Sequence, residues 1–187
     1  QEFNVHVFGQ HNMLNLNAAY HVCMALGISK VDFFDAIGSF SGAAKRLELF
    51  YESDKLTIYK DFAHAPSKCR ATVAAVRQKF PNKKIKGLLE LHTFSSLSAD
   101  FLPQYLGSMD GLDLAGVFYD PHAVAMKKME ALDSDFVRQS FGNDALQVFD
   151  NPTSCHAFLD QTKNDGSEVL LVMSSGNLGQ YDFDQLV

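Results

Sequence analysis

Val169-Leu170-Leu171-Val172 narrows what this chain can fold into more than any other stretch. A run that is apolar at every position has no face to give to water. As a strand it must be covered on both sides, which is the habit of parallel sheets rather than of half-exposed antiparallel ones. Leu88-Leu89, inside the strand-like run Ile85–Leu91, reads the same way. Further strand-like runs lie at Leu114–Tyr119, Leu146–Phe149 and Glu168–Met173, and helical patterns separate them. The spacing predicts helices over Pro66–Phe80 (burying Cys69, Val73, Val76 and Phe80), around Ser98–Leu106, from Ala123 to Phe141, over Pro152–Lys163 and, last and short, at Asp182–Leu186. Such alternation is the signature of an α/β fold with a mainly parallel sheet and helices on both faces.

The first forty residues follow a different pattern. Asn12 after the turn Gly9-Gln10-His11 suits a helix cap. Leu16, Ala19, Tyr20, Cys23 and Met24 then recur at three- and four-residue steps, and Gly27 stops the helix. A second helix is expected from about Lys30 to Ile37, with Val31, Phe34 and Ile37 on one side. The segment Gly38-Ser39-Phe40-Ser41-Gly42 is a flexible joint, and a domain boundary is placed there, dividing 1–42 from 43–187. Past it, Leu47–Glu52 and Lys55–Tyr59 flank Ser53-Asp54 as a hairpin.

Composition removes several function classes. No window has the roughly 18 to 20 apolar residues of a membrane span. Nothing at the N-terminus reads as a secretory signal. A net charge of −6 argues against a general nucleic-acid binder. Cys23, Cys69 and Cys155 are odd in number, far apart and set in apolar helical patterns; they read as reduced core thiols of a cytoplasmic protein, with no metal spacing.

The candidate site begins at Asp61-Phe62-Ala63-His64-Ala65-Pro66. It ends a strand-like run and opens a helix with proline at the first position, where no N–H is missed. Open α/β sheets bind ligands at the carboxyl ends of their strands. The hexapeptide alone equally allows a surface turn that happens to hold Asp and His. Polar residues, however, gather past all five strand ends: Asp61 and His64; His92, Thr93, Ser95 and Ser96; Asp120 and His122; Asp150 and Asn151; Ser174, Ser175, Gly176 and Asn177.

Several of these stretches resemble one family. Gly9-Gln10-His11-Asn12-Met13-Leu14-Asn15 is similar to the Gly-x-His-Asn-x-x-Asn signature that closes the central domain of the Mur ligases. Phe40-Ser41-Gly42-Ala43-Ala44-Lys45-Arg46 resembles their Phe-x-Gly-x-x-x-Arg joint, and Asp61-Phe62-Ala63-His64-Ala65-Pro66 their Asp-(Tyr/Phe)-(Ala/Gly)-His-x-Pro. Val172 to Gly179 resembles the closing loop of the peptide-recycling branch. The resemblance implies a Rossmann-like C-terminal domain, preceded by a short helical remnant of a central ATPase domain. The sequence holds no Gly-x-x-x-x-Gly-Lys-(Ser/Thr) loop, and a fragment is the expected explanation, with Gln1-Glu2-Phe3 reading as mid-domain sequence. Such a fragment alone is expected to be inactive.

The resemblance further implies an ATP-dependent ligase of the peptidoglycan precursor. It joins a peptide of the L-Ala-γ-D-Glu-meso-diaminopimelate type, or alternatively L-alanine, to UDP-N-acetylmuramate. ATP and magnesium are the implied cofactors, held mainly by the central domain, with no metal site in this chain; the rest of the same polypeptide is the implied partner, and no membrane or nucleic acid is. A stand-alone nucleotide-binding module is the alternative from another class. By matching position, His11, Asn12, Asn15, Arg46 and Asp61 are the ATP-contact candidates, and Arg46 and His64 the catalytic ones. His92, Thr93, Ser95, Asp120, His122, Ser174, Ser175 and Asn177 are the acceptor candidates. The chain departs from many relatives at Lys60, where they have a second acid, at Ala65, where they have a second His, and in the Glu90–Ser96 loop, which lacks their Arg.

Overall fold

A computed structural model of the chain describes residues 3–162 and 164–187. Its elements in chain order are α1 (Gln10–Ala25), α2 (Lys30–Gly38), β1 (Glu48–Glu52), β2 (Thr57–Asp61), α3 (Pro66–Lys79), β3 (Lys84–Leu91), β4 (Leu114–Tyr119), α4 (Pro121–Met126), α5 (Ser134–Phe141), β5 (Gln147–Phe149), α6 (Pro152–Asp160) and β6 (Glu168–Met173). The six strands form one sheet in the order β1-β2-β6-β3-β4-β5. Only β1 runs antiparallel, against β2; β2, β6, β3, β4 and β5 are parallel.

The all-apolar run lies where its composition requires. β6 pairs with β2 on one side and β3 on the other. Val169, Leu171 and Met173 face one core with Cys69, Val73 and Val76 of α3 and Val137 and Phe141 of α5. Leu170 and Val172 face a second core with Cys155, Phe158 and Leu159 of α6. The sheet is thus covered on both faces, and its strand ends are level: Asp61 pairs with Met173, Leu89 with Met173, and Leu91 with Tyr119.

Some expectations need correction. Asn12 does not cap α1. The cap position is Gly9 at φ 86, with no side-chain cap, and the Asn12 amide instead donates to the Phe8 carbonyl at 2.9 Å from inside the helix. No residue of α1 is buried: Leu16, Tyr20, Cys23 and Met24 are half-buried and Ala19 is exposed. The helix packs mainly on α2 and α3, and its face is not closed over. In α2 the buried residue is Phe33, packed edge-on against Tyr20 at 5.3 Å, while Val31 is exposed.

Within Ser98–Leu106 only Leu102–Tyr105 is helical, as a 3-10 turn with Pro103 in it; proline has no N–H to extend a helix. The stretch Ala123–Phe141 divides into α4 and α5 because Lys128 turns left-handed (φ 56) and Asp133 caps a new start at Phe136 N–H. The last helix is a 3-10 turn at Phe183–Leu186. Helix α6 ends at Asp160, and Lys163, where that helix was expected to finish, lies outside the described residues along with Gln1 and Glu2.

The segment before α1 comes close to α3 and the sheet. A Cβ at Gly9 would stand 2.6 Å from the Ala75 Cβ on α3, and φ 86 is a conformation that side chains resist. Beside it Phe8 meets Tyr59 edge-on at 5.4 Å, with the Lys79 ammonium 4.2 Å above the Phe8 ring. Gly9→Ala should cost about 1–3 kcal/mol. Hydrogen exchange should show α1 opening faster while β3 and β6 stay protected.

Candidate functional site

Arg46 lies two residues before the hairpin strand β1, Asp61 closes β2, and α1 and α3 both begin nearby. These segments meet in a cleft of about 540 Å³. His11, Asn12 and Asn15 of α1, Arg46 and Asp61 form part of its wall; Ser67, Lys68, Ala71 and Thr72 of α3 form the rest. All five nucleotide-contact candidates therefore come together. Asn12 and Asn15 lie three apart on one helix face, as expected. Helix α3 opens on Pro66 with no side-chain cap, so its free N–H groups and dipole favour an anion at the Ser67–Lys68 end. His11 Nδ1 is buried with no partner among the described residues. Arg46 is exposed, its guanidinium 5.7 Å from the Phe62 ring centre.

Asp61 is the organising residue. One carboxylate oxygen accepts Leu47 N–H and the other Ala63 N–H, both at 2.6 Å. Its carbonyl accepts Ser174 N–H at 2.9 Å. Burial pushes its carboxyl above the usual carboxylate range, while the two N–H donors, His11 and Arg46 pull the other way.

His64 does not line this cleft. Its Nδ1 lies 2.9 Å from the Phe62 carbonyl, its ring sits edge-on to Phe62 at 5.3 Å, and its own carbonyl accepts the Tyr105 hydroxyl.

The acceptor candidates fall into groups. Ser174 and Asn177 line a second cavity, of about 340 Å³, together with Lys45, Lys60, Asp61 and Gly176. Ser175 points elsewhere: its hydroxyl is buried and without a partner among the described residues. Thr93 and Ser95 lie in the turn after β3, where the hydroxyls of Thr93, Ser95 and Ser96 bond to one another. His92 Nδ1 stands 3.8 Å from Glu90 Oε1. Asp120 serves as the cap of α4, accepting His122 N–H at 2.9 Å, and the His122 ring is exposed.

Lys60, which stands where many relatives have an acid, is held by rings: its ammonium lies 3.2 Å from the Phe50 ring centre and 3.7 Å from that of Phe183. Burial lowers its pKa, with nearby Glu48 opposing. Two contributors escaped the sequence reading. Lys68 sits in the first turn of α3, and its signal was there, two residues after the proline. Glu90 is a buried acid in the apolar second half of β3, among Leu88, Leu89 and Leu91. That mismatch of residue and environment was itself the signal.

The fold and the cleft define a class: a Rossmann-like α/β domain with a polar cleft at its strand ends, joined to a helical pair. No protein-family model matches the chain. It is 30% identical over 190 residues to the UDP-N-acetylmuramate–L-alanine ligase of Lactobacillus helveticus, covering 100% of this chain and 41% of that protein. The crystal structure of the UDP-N-acetylmuramate–alanine ligase of Thermotoga maritima superposes with a TM-score of 0.72 at 19% identity, over 95% of this chain and 37% of that one. A murein peptide ligase from Psychrobacter arcticus gives 0.57 at 17% identity, over 95% and 36%. The two structures speak to the fold alone.

The chain matches the C-terminal region of ligases of the Mur family. It spans about two fifths of the length of the curated relatives it matches, 39% and 41% for two of them. Among the described residues no helix is long and apolar enough to cross a membrane.

Asp61→Asn tests the organising role. An amide can replace only one of the two oxygens as acceptor, which strands a buried N–H. Denaturant unfolding should show a loss of about 1–3 kcal/mol. The amide resonance of either Leu47 or Ala63 should shift, showing which N–H lost its acceptor.

Proposed function

We propose that this chain is the nucleotide-clamping and acceptor-binding part of an ATP-dependent, amide-forming ligase of cytoplasmic peptidoglycan synthesis or recycling. The observation that carries the reading is the cleft: His11, Asn12, Asn15, Arg46 and Asp61 come from separate segments and meet around one space. In this reading residues 1–42 end a nucleotide-binding domain and residues 43–187 form the acceptor domain. The two asparagine amides both donate and accept, as an adenine edge requires. The Asp61 oxygens keep lone pairs free for sugar hydroxyls. Arg46 and Lys68 supply the positive charge that phosphate oxygens need, Arg46 in two-pronged fashion.

The proposed reaction puts the γ-phosphoryl group of ATP on the carboxylate of UDP-N-acetylmuramate and then lets an amine displace phosphate. Its catalysis is mostly positioning and charge stabilisation. Magnesium would serve such a ligase by offsetting phosphate charge. Among the described residues no three His, Cys, Asp or Glu side chains converge as ligands would, so no residue here is assigned to it.

Two acceptors fit. A peptide of the L-Ala-γ-D-Glu-meso-diaminopimelate type is supported by the Ser174-Ser175-Gly176-Asn177 ending and by the second cavity beside it. L-Alanine is supported by the names of the curated relatives and by the loop His92-Thr93-Phe94-Ser95.

The 187-residue chain alone is expected to show no ligation, and turnover by it would overturn the division of labour. In the longer polypeptide carrying this domain, Arg46→Ala should slow amide formation roughly tenfold or more, a charged hydrogen bond being worth about 1.5–3 kcal/mol, and leave UDP-sugar binding nearly intact. Wild-type rates would return Arg46 to the solvated surface. Assaying L-alanine against tripeptide with that polypeptide separates the two acceptors, and Ser174→Ala should raise KM for the preferred one while sparing that for ATP.

A further inference from the structure

Glu90 has no part in the reading above, yet the loop after β6 is built around it. It is the penultimate residue of β3 and only 3% exposed. A buried carboxylate needs charge or hydrogen-bond partners. Among the described residues no Lys or Arg pairs with it. Oε2 accepts the Ser174 hydroxyl and, at 3.2 Å, Leu178 N–H. Gly176 crosses so close that a Cβ there would stand 2.6 Å from Oε1. The remaining partner is His92, whose Nδ1 stands 3.8 Å from Oε1 and whose side chain is 39% exposed. One oxygen therefore holds the loop that carries Ser174, and the other faces an imidazole open to solvent on the same strand end.

We propose that Glu90 is a positioning residue for His92, and that His92 is the base that takes a proton from the acceptor's ammonium group. The proposal rests on the ligase reading. An amino-acid or peptide acceptor arrives as R–NH₃⁺, which has no lone pair to attack with. A carboxylate beside Nδ1 favours the tautomer with the proton on Nδ1, so the Nε2 lone pair faces outward. Nε2 takes one proton, and the Glu90 carboxylate stabilises the imidazolium formed. The free amine attacks the acyl-phosphate carbon. A C–N bond forms, the C–O bond to phosphate breaks, and phosphate leaves with that electron pair and accepts the second proton from nitrogen. The same carboxylate thus sets both the base and Ser174, which lines the cavity beside Asp61.

Glu90→Gln separates this role from a merely structural latch. The amide oxygen can take the place of Oε2 and keep Ser174 and Leu178, while the amide N–H₂ takes the place of Oε1 and replaces the negative charge that favours a proton on His92 Nδ1 with a positive dipole end that disfavours it. Two-bond ¹⁵N–¹H correlation spectra of the neutral ring in the 187-residue chain should show the proton on Nδ1 in the wild type and on Nε2 in Glu90→Gln. The backbone amide resonances of Gly176 and Leu178 should stay nearly in place. The same tautomer in both proteins would overturn the positioning role.

In the longer polypeptide, His92→Ala should slow amide formation roughly 100-fold or more, the usual range for a lost general base, with acyl-phosphate formation unchanged. Added imidazole should restore part of the rate. This second variant removes an exposed ring and leaves the loop's anchor in place, so it decides the matter even if Glu90→Gln folds poorly. An unaltered rate in His92→Ala would overturn the base assignment. No ATP-dependent amide formation by the wild-type polypeptide would instead overturn the ligase reading, a result distinct from the tautomer measurement.

Discussion

The Asp61 carboxylate is the interaction on which the rest of the arrangement depends. Lys45 and Leu47 both take left-handed backbone conformations, φ 55 and φ 50, which cost side-chain-bearing residues about a kcal/mol or more each. Leu47 is held there by giving its N–H to Asp61, and Lys45 by accepting Phe62 N–H on its carbonyl at 2.8 Å. The turn so formed brings Arg46 to the first cleft and Lys45 to the second cavity. Among the described residues Asp61 is the one that lines both. A residue first noticed as a ligand candidate is thus equally a structural clasp, and its two roles share the same atoms.

That double use explains how the two candidate sites stay in register. Asp61 reaches β6 through Ser174 N–H, and Ser174 reaches β3 through Glu90. Three neighbouring strand ends are tied edge to edge by hydrogen bonds among residues that also face solvent-filled space. Parallel pairing makes this possible, because it brings the carboxyl ends of successive strands to one side of the molecule.

The sheet and its two cores were legible in the sequence because burial on both faces leaves a plain mark, as at Val169–Val172. Boundaries within the helical stretches were less so. The break at Lys128 depends on a left-handed residue that no composition rule flags, and the shortening of Ser98–Leu106 on a proline inside the apolar pattern of Leu102, Tyr105 and Leu106. The grouping of His11, Asn12, Asn15, Arg46 and Asp61 was readable only because their order resembled a family; spacing by itself never joins residue 11 to residue 61. Glu90 went unassigned for the opposite reason. It lies among leucines, Leu88, Leu89 and Leu91, that announce a core, and its partners Ser174 and Leu178 are more than eighty residues away in the chain.

The placement of β6 has a consequence for how the chain is made. The last strand in sequence fills the middle of the sheet, between β2 and β3. During synthesis the backbone edges that those two strands turn towards each other wait for a partner until Glu168–Met173 has emerged. Unpaired apolar edges invite other chains. A nascent polypeptide paused before Glu168 would carry a slot of strand width through its centre, and holdase chaperones would find it at that stage rather than at any other.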